Sequence, residues 1–254
     1  MWKVTRLLSA SLILLLSGCA GLNIYSDAEL EPLSVQAYAE ASAAYPEVTS
    51  GNDYQMVQEV ARRIAEVAGE NFPWEAKLLK ADDVPNAFCL PNGRIAVYTG
   101  ILPLTKNIDG LAAVLGHEVA HATLRHGGQR MTSSQLNGMA MIVVNAGLEM
   151  TDLEPTSKEL TMMAIGAVGQ YGMMLPYSRD HETEADIRGI RYAIRAGFNP
   201  NEAPRLWERM AELGGGTPEW MSTHPDPLER AKKLRAVIPK IIREEKDWPN
   251  TKAN

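Results

Sequence analysis

His117-Glu118-Val119-Ala120-His121 places two imidazoles and one carboxylate at the spacing H-E-x-x-H. On a helix, residues i and i+4 project from the same face, so both imidazoles can reach one metal ion. The glutamate after the first histidine can take a proton from a water that such an ion activates. Two imidazoles do not complete the coordination of a divalent metal, so the motif predicts a further ligand elsewhere in the chain.

The residues around the motif predict a helix that is buried along one side. An apolar stripe at helical spacing borders the two histidines: Leu111, Val114, Leu115, Val119 and Ala122. We expect Asp109 to cap the start of this helix and Gly127-Gly128 to end it. The alternative is a solvated polar face that carries the motif by chance, and the stripe argues against it.

The further ligand is predicted to come from a second helix. A metzincin would have glycine and histidine where this chain has Leu124 and Gly127. The remaining common solution is a carboxylate, and residues 178–186 are predicted to begin a helix with a serine cap. Glu182 and Asp186 lie one turn apart there, so one can bind metal while the other hydrogen-bonds a ligand histidine.

Three other side chains are rival ligands by residue type: Glu184, His181 and His126. Glu184 stands two residues from Glu182, so it projects to a different face and is expected to be a solvated carboxylate. His126 lies five residues beyond His121. We expect it to be rotated away from the metal face and to close the helix.

Four motifs, together with their order along the chain, resemble those of the zinc metallopeptidases that include HtpX and the CAAX prenyl protease. They are Gly116–His121, Glu182-x-x-Ala185-Asp186, the segment Asn86–Ile95, which is similar to the family's NAFALPGG hairpin, and His224-Pro225 with Arg230, which is similar to its HPxxxxR element. The resemblance covers roughly residues 50–240. Within this family it resembles the periplasmic lipoprotein branch that includes LoiP and BepA, without a repeat domain.

The resemblance implies a predominantly helical α+β, zincin-like domain with a small antiparallel sheet or hairpin beside the H-E-x-x-H helix. It implies one Zn²⁺ per chain, bound by His117, His121 and Glu182, with Glu118 as general base and Asp186 orienting a ligand histidine. Two imidazoles and one carboxylate suit zinc better than iron or manganese, although ligand type alone does not exclude those metals.

The HPxxxxR element leaves two roles open for its histidine. His224 either stabilises the oxyanion of the tetrahedral intermediate or caps the open zinc position in a resting state. Arg230 is expected to support this loop by pairing with a carboxylate.

Upstream of the motif, helices are predicted at 35–44 and 53–68, and strands at 75–80, 87–90 and 94–99. Arg94–Thr99 is expected to be an exposed sheet edge that pairs with an extended peptide. The predicted substrate-binding residues are Asn86, Arg94, Ala96 and Tyr98. The alternative is an ordinary hairpin that only contributes core residues.

Two methionine-rich segments, 131–150 and 157–176, are predicted to be helical. Their methionines suit either the core or an adaptable groove for unfolded substrate, and we expect the core. Cys89 is expected to be a small buried residue rather than a catalytic thiol.

The N-terminus predicts export and lipidation. Lys3 and Arg6 precede an apolar run at 7–16, which is too short to span a bilayer, and Leu16-Ser17-Gly18-Cys19 resembles a lipobox. A lipid on Cys19 would tether the chain to a membrane, most simply the periplasmic face of a bacterial outer membrane, since Ala20 follows it. The alternative is an ordinary secretory signal.

These features divide the chain into a signal peptide at 1–18, a tether with a short helix at 19–50, a catalytic domain at 51–245 and a tail at 246–254. Without Lys3 and Arg6 the chain keeps 23 basic against 31 acidic residues, a net charge of about −8. No basic patch is present, so nucleic-acid binding is not expected. About 235 residues suit one domain.

The sequence therefore predicts a membrane-tethered zinc metalloendopeptidase that acts on extended polypeptides, such as unfolded or misassembled envelope proteins. One alternative is a periplasmic chaperone or assembly factor, in contact with envelope assembly machinery, that has a zinc site and little proteolysis. Glu118 argues against it, because a structural metal needs no base beside it. Another alternative is a zinc amidase that cleaves cell-wall peptides.

Overall fold

The computed structural model describes residues 21–149, 154, 177–213, 223–224, 226–246 and 248. The predicted signal peptide, Cys19 and segment 157–176 lie outside these residues. In chain order the helices and strands are α1 (Asp27–Ala44), β1 (Glu47–Val48), α2 (Asn52–Ala68), β2 (Glu75–Leu79), β3 (Ala87–Cys89), β4 (Arg94–Tyr98), a 3-10 turn (Thr99–Ile101), α3 (Leu102–Thr105), α4 (Ile108–Thr123), α5 (His126–Glu149), α6 (Arg179–Arg195), α7 (Glu202–Ala211) and α8 (Pro227–Glu245). The protein is thus a predominantly helical α+β domain, as expected.

The four strands form one sheet in the order β1-β2-β4-β3. Strands β3 and β4 pair antiparallel, which confirms the predicted hairpin. Their turn is closed by a hydrogen bond from the Gly93 amide to the Leu90 carbonyl (2.9 Å), and Gly93 has a φ of 83°, which glycine adopts without strain. Because β2 and β4 run parallel, the sheet as a whole is mixed rather than antiparallel.

The prediction that Arg94–Thr99 is an exposed edge is wrong. Strand β4 is hydrogen-bonded to β2 on one side and to β3 on the other, so its backbone has no open side. Ile95, Ala96 and Val97 are all buried, and a strand covered on both faces reads as a continuous apolar run. Among the strands that the structure describes, β3 ends the sheet on this side.

The sheet separates two apolar clusters. The larger lies between the sheet and helices α2, α4, α6, α7 and α8, and it takes Ile95 and Val97 from β4. The smaller lies on the opposite face, where Tyr38 of α1 packs with Ala96 and Tyr98. Side chains of β4 therefore alternate between the two clusters, as the pleat of a strand requires.

Helix α4, which carries the H-E-x-x-H motif, is buried from Gly110 to Ala122. Its N-cap is Asn107, whose side chain accepts a hydrogen bond from the Gly110 amide (2.8 Å), and not Asp109. Asp109 instead accepts from the Asn199 amide (2.9 Å) and so ties the start of the helix to the turn before α7.

The end of α4 also differs from its prediction. The helix stops at Thr123, and Gly127-Gly128 lie inside the next helix, α5. The break falls at Leu124-Arg125, where Arg125 adopts a left-handed φ of 61°. A residue with a side chain rarely adopts this conformation, so no glycine marks the break.

Helix α6 approaches α4 closely enough for their backbones to touch. A Cβ on Gly189 would lie 2.8 Å from the backbone nitrogen of His117, and one on Gly116 would lie 2.9 Å from the Gly189 carbonyl oxygen. Ser178 caps α6 as predicted, by accepting a hydrogen bond from the His181 amide (3.1 Å). The two glycines thus let α6 bring its carboxylates to the motif.

The chain divides into two compact units, residues 1–26 with 128–175 and residues 27–127 with 176–254. The sheet and the helices other than α5 belong to the second unit, whereas α5 belongs to the first from residue 128 onward. In the first, the Ile24 amide donates to Thr132 Oγ1 (3.1 Å) and the Tyr25 hydroxyl donates to Gln135 (2.8 Å).

Met139 on α5 is 53 % exposed, so the prediction that these methionines belong to the core is wrong for this one. Met141 and the methionines from 150 to 174 have no described side chains. Within the described ranges, no helix combines the length and the apolarity needed to cross a membrane.

Candidate metal centre

Four side chains that can bind a metal converge where α4 meets α6. His117 and His121 come from α4, Glu182 from α6 and His224 from the segment before α8, and all four are buried. The Nε2 atoms of His117 and His121 lie 3.0 Å apart, and Glu182 Oε1 lies 3.3 Å from His121 Nε2. The predicted ligands are therefore brought together, and the structure adds a fourth donor to them.

The spacing of these donors fits a small tetrahedral ion. Ligand bonds of about 2.0–2.1 Å place the donors of a tetrahedron roughly 3.4 Å apart. The His117 Nε2 atom lies 3.5 Å from Glu182 Oε2 and 3.2 Å from His224 Nδ1, and His224 Nδ1 lies 3.0 Å from Glu182 Oε1. A nitrogen-rich donor set with these separations suits zinc among the common divalent ions.

The protonation states of the cluster reflect strong burial among charges. Burial, followed by the neighbouring His117, holds the pKa of His121 well below its ordinary value, so that its imidazole is neutral. Burial and Arg230 also act to lower the pKa of His117, but the carboxylates of Glu182 and Asp186 prevail and raise it to about 9. The pKa of Glu182 is lowered, because the charges of Arg230, His224 and His117 outweigh its burial.

Glu118, the predicted general base, is buried beside the cluster. Its Oε1 atom lies 3.5 Å from Nε2 of His224, the ring nitrogen opposite the one that faces the donors. The imidazole of His224 therefore lies between the donor atoms and Glu118, the predicted general base.

Asp186 and Arg230 contact two of the donor side chains, His117 and Glu182. Asp186 Oδ1 lies 3.1 Å from Nδ1 of His117, the ring nitrogen that faces away from the cluster. Arg230 donates to both Asp186 oxygens (2.8 and 2.6 Å) and pairs with Glu182 at 2.6 Å. Its guanidinium stacks over Trp207 at 3.7 Å, so one buried cation is surrounded on three sides.

His126 is a neighbour of the cluster whose placement the sequence analysis did not anticipate. It begins α5 instead of closing α4, it is fully buried, and its Nδ1 atom lies 2.9 Å from Nδ1 of His121. Glu184, expected to be a solvated carboxylate, is largely exposed but reaches the other ring nitrogen of His126 at 3.2 Å. The contact between His126 and His121 could not be predicted from the sequence, because it depends on the helix break at Arg125.

Tyr177 and His181 complete the surroundings of the ligand rings. Tyr177 stacks on His121 with ring centres 3.8 Å apart, and His181 stacks on His126 at 4.3 Å. Cys89 is buried, as predicted, and burial followed by the nearby Glu118 raises the pKa of its thiol. A thiol in that state is a poor nucleophile.

The predicted substrate-binding residues are not gathered at the cluster. Arg94 pairs with Glu31 (3.1 Å), which ties β4 to α1. Ala96 and Tyr98 are buried in the apolar cluster on the sheet face opposite α4. The backbone carbonyl of Asn86 accepts a hydrogen bond from the Tyr98 amide (3.0 Å), so Asn86 helps to hold the hairpin together.

An H-E-x-x-H helix joined by a glutamate from a second helix, beside a small sheet, defines a zincin-like domain. The sequence model of peptidase family M48 matches residues 52–238, and the chain belongs to this family. The candidate metal centre therefore belongs to a member of a metallopeptidase family.

Relatives of the chain are found in bacteria and in mitochondria. The mitochondrial metalloendopeptidase OMA1 of Schizosaccharomyces pombe is 36% identical over 76% of the chain and 57% of its own length. The metalloprotease YcaL of Escherichia coli is 29% identical over 86% of the chain and 85% of its own length. The β-barrel assembly-enhancing protease of Yersinia pestis is 28% identical over 68% of the chain and 36% of its own length. The chain spans 57% or less of the length of the OMA1 relatives it matches.

Proposed function

We propose that the protein is a zinc-dependent metalloendopeptidase. The observation that carries the proposal is the convergence of His117, His121 and Glu182 on one point, with Glu118 buried beside them. Membership of peptidase family M48 and the metalloendopeptidases among its relatives support the same activity.

In this proposal the metal ligands are His117, His121 and Glu182. Bound zinc supplies Lewis acidity, which polarises a peptide carbonyl and makes water acidic near neutral pH. Glu118 accepts the proton of the attacking water and delivers it to the leaving amine. Asp186 accepts a hydrogen bond from Nδ1 of His117, which keeps the other nitrogen free to bind metal.

We further propose that His224 caps the metal in a resting state. Its Nδ1 atom lies among the ligand atoms rather than beside them, which favours capping over oxyanion stabilisation. Four protein donors close a zinc site, whereas a catalytic site keeps one position for water or substrate. Substrate binding must then displace His224. The variant His224→Ala is expected to raise the cleavage rate at low substrate concentration, and a loss of activity would favour the oxyanion role.

The substrate is proposed to be an extended polypeptide that pairs with β3. The backbones of Asn86 and Leu90 bond to Tyr98 and Arg94 of β4. Backbone groups of a strand alternate between its two sides, so those of Ala87 and Cys89 point away from β4, to the side where no described strand pairs. A peptide chain added there would run beside the motif helix, against which β3 packs.

The variant Glu118→Gln tests the activity directly. It is expected to keep its fold and its zinc, because Glu118 is not a ligand, and to lose about 10²–10⁴-fold in kcat toward an unfolded protein such as casein. The matched control Glu66→Gln changes an exposed glutamate of α2 and should leave kcat unchanged.

Three outcomes would contradict the proposal. If Glu118→Gln cleaves as fast as the wild type, the mechanism is wrong. If the wild type suppresses aggregation and never cleaves protein, the chaperone alternative holds. If it cleaves muropeptides but not proteins, it is an amidase.

We propose that the protein acts in the bacterial envelope, tethered to a membrane by lipid on Cys19. The lipobox-like sequence supports this, and so does the relative named for enhancing β-barrel assembly, which suggests misassembled envelope proteins as substrates. Labelled fatty acid should enter the wild type and not Cys19→Ser, and the latter should leave the membrane fraction. An unlabelled wild type would contradict the tether.

A further inference from the structure

His126 occupies a position that the proposed mechanism does not use. It is fully buried, although a histidine at the first position of a helix usually meets solvent. Its two ring nitrogens are both engaged, Nδ1 at 2.9 Å from Nδ1 of His121 and Nε2 at 3.2 Å from Oε2 of Glu184. A chain of contacts thus runs from the donor cluster through His126 to a carboxylate at the surface.

If His121 binds metal, only one arrangement of protons is compatible with this series of side-chain contacts. The Nε2 atom of His121 faces the other donors, so it must carry a lone pair, and its proton must sit on Nδ1. That N–H donates to Nδ1 of His126, which must therefore carry its own proton on Nε2. The second N–H donates to the carboxylate of Glu184, which accepts only.

The fold holds His126 in place from several directions. Arg125 keeps its left-handed turn, while its guanidinium donates to the Thr123 carbonyl (3.0 Å) and pairs with Asp27 (2.9 Å). The ring of His181 covers the face of His126 at 4.3 Å. A left-handed residue whose side chain is held by two contacts is typical of a position whose geometry matters.

We propose that His126 and Glu184 form a positioning pair that fixes the tautomer and the orientation of His121 for metal binding. The inference rests on the proposed function through one point, the assignment of His121 as a ligand. Asp186 does the same for His117, so each ligand histidine would have its own hydrogen-bond partner. The two partners differ, because Asp186 contacts its histidine directly, whereas Glu184 acts through a second imidazole.

Zinc affinity of the full-length protein, measured by competition with a chelator, tests the pair. His126→Leu removes the acceptor and is expected to weaken zinc binding by about 10–100-fold. His126→Asn keeps an oxygen close to the position of Nδ1 and should restore most of the affinity. Glu184→Ala should have a smaller effect, since Glu184 is exposed and water can replace it.

The control is Tyr192→Phe, which removes the 2.9 Å hydrogen bond between Tyr192 and Thr123 that joins the same helices, α4 and α6. It should leave zinc affinity unchanged. The visible spectrum of the Co²⁺-substituted protein gives a readout independent of activity. It should shift in His126→Leu and stay as in the wild type in Tyr192→Phe.

The outcomes separate this inference from the proposed function. If His121→Ala abolishes zinc binding but His126→Leu binds within twofold of the wild type, the positioning pair is wrong and the ligand set stands. If His121→Ala binds zinc normally, the ligand assignment itself fails. Equal losses in His126→Leu and His126→Asn would reduce His126 to a packing residue. Should His126→Leu not fold, Glu184→Ala decides the question. A measurable loss of zinc affinity or a shifted Co²⁺ spectrum in Glu184→Ala supports the positioning pair, and identity with the wild type overturns it.

Discussion

Helix α6 carries a cluster of charged residues at each end, and the two clusters are built differently. Near its C-terminal end, Arg191 and Arg195 both contact Glu245 of α8, at 2.5 and 2.7 Å. Near its N-terminal end, Glu182 and Asp186 face Arg230, which also comes from α8. The first cluster is partly open to solvent at its arginines, whereas the second is buried throughout.

The difference lies in which atoms face each other. In the cluster around Glu245, every contact joins a cation to an anion. In the cluster around Glu182, the facing nitrogens of His117, His121 and His224 lie 3.0–3.2 Å apart, and at most one of each pair can donate. Such a group is costly to bury by itself and becomes favourable with a cation at its centre. The first cluster holds two helices together, and the second is arranged for a ligand.

Among three substitutions that compare the two clusters, Asp186→Asn is expected to have the largest effect on stability and zinc affinity. It removes one of the two carboxylate charges that offset buried Arg230 and should cost about 3 kcal/mol of unfolding free energy in the metal-free protein. It should also weaken zinc binding by about 10–100-fold, since Asp186 is proposed to orient His117. Urea unfolding with chelator and a zinc titration measure the two effects. Loss of stability with unchanged zinc affinity would make Asp186 a structural residue only.

An intermediate effect is expected from Gly189→Ala, between the two clusters. The added Cβ would lie 2.8 Å from the His117 nitrogen, so α6 must move away from α4, at a cost of about 2 kcal/mol. Zinc affinity should fall with it, because Glu182 moves on the same helix. The matched control is Gly138→Ala on α5, where a Cβ meets nothing within 4 Å and stability should rise slightly. Unchanged zinc affinity in Gly189→Ala would show that the close approach is not needed for the site.

The smallest effect is expected from Glu245→Gln, about 1 kcal/mol, because the partly exposed arginines regain water. Zinc affinity should not change. Although burial disfavours its charge, hydrogen bonds from Arg195 and Arg191 hold the pKa of Glu245 below its ordinary value.

The contribution of Glu245 therefore depends on pH in a defined direction. It is fully present above the ordinary glutamate pKa of about 4.3 and is lost as the pH falls through the lower pKa of the folded state. The stability difference between wild type and Glu245→Gln should thus be present at pH 7 and shrink in acid. A difference that grows in acid would contradict this assignment.

Features that depend on neighbouring residues were predictable from the sequence. The i, i+4 histidines, the Ser178 cap and the turn at Pro91–Gly93 all follow from local geometry and are confirmed. The N-cap of α4 was misassigned by two residues, because both Asn107 and Asp109 suit the position and only the fold gives Asp109 another partner.

Features that depend on distant pairing were not predictable. The apolar run in Arg94–Tyr98 does not specify which strands pair with it, and only the parallel pairing with β2 makes β4 an interior strand. The sequence analysis placed His126 at the end of α4. The helix breaks earlier, because Arg125 adopts a left-handed conformation that arginine rarely adopts.

The sequence by itself determined the donor chemistry of this protein: two imidazoles one turn apart, a glutamate next to the first of them, and a carboxylate on a second helix. The tertiary structure decided which further groups meet these donors. It places His224 among the donor atoms, His126 against His121 and Arg230 against Asp186. These residues come from segments that are far apart in the chain or separated by a helix break. The physical reason is that spacing within one helix fixes directions only along that helix, whereas contacts between helices depend on how closely their backbones can pack.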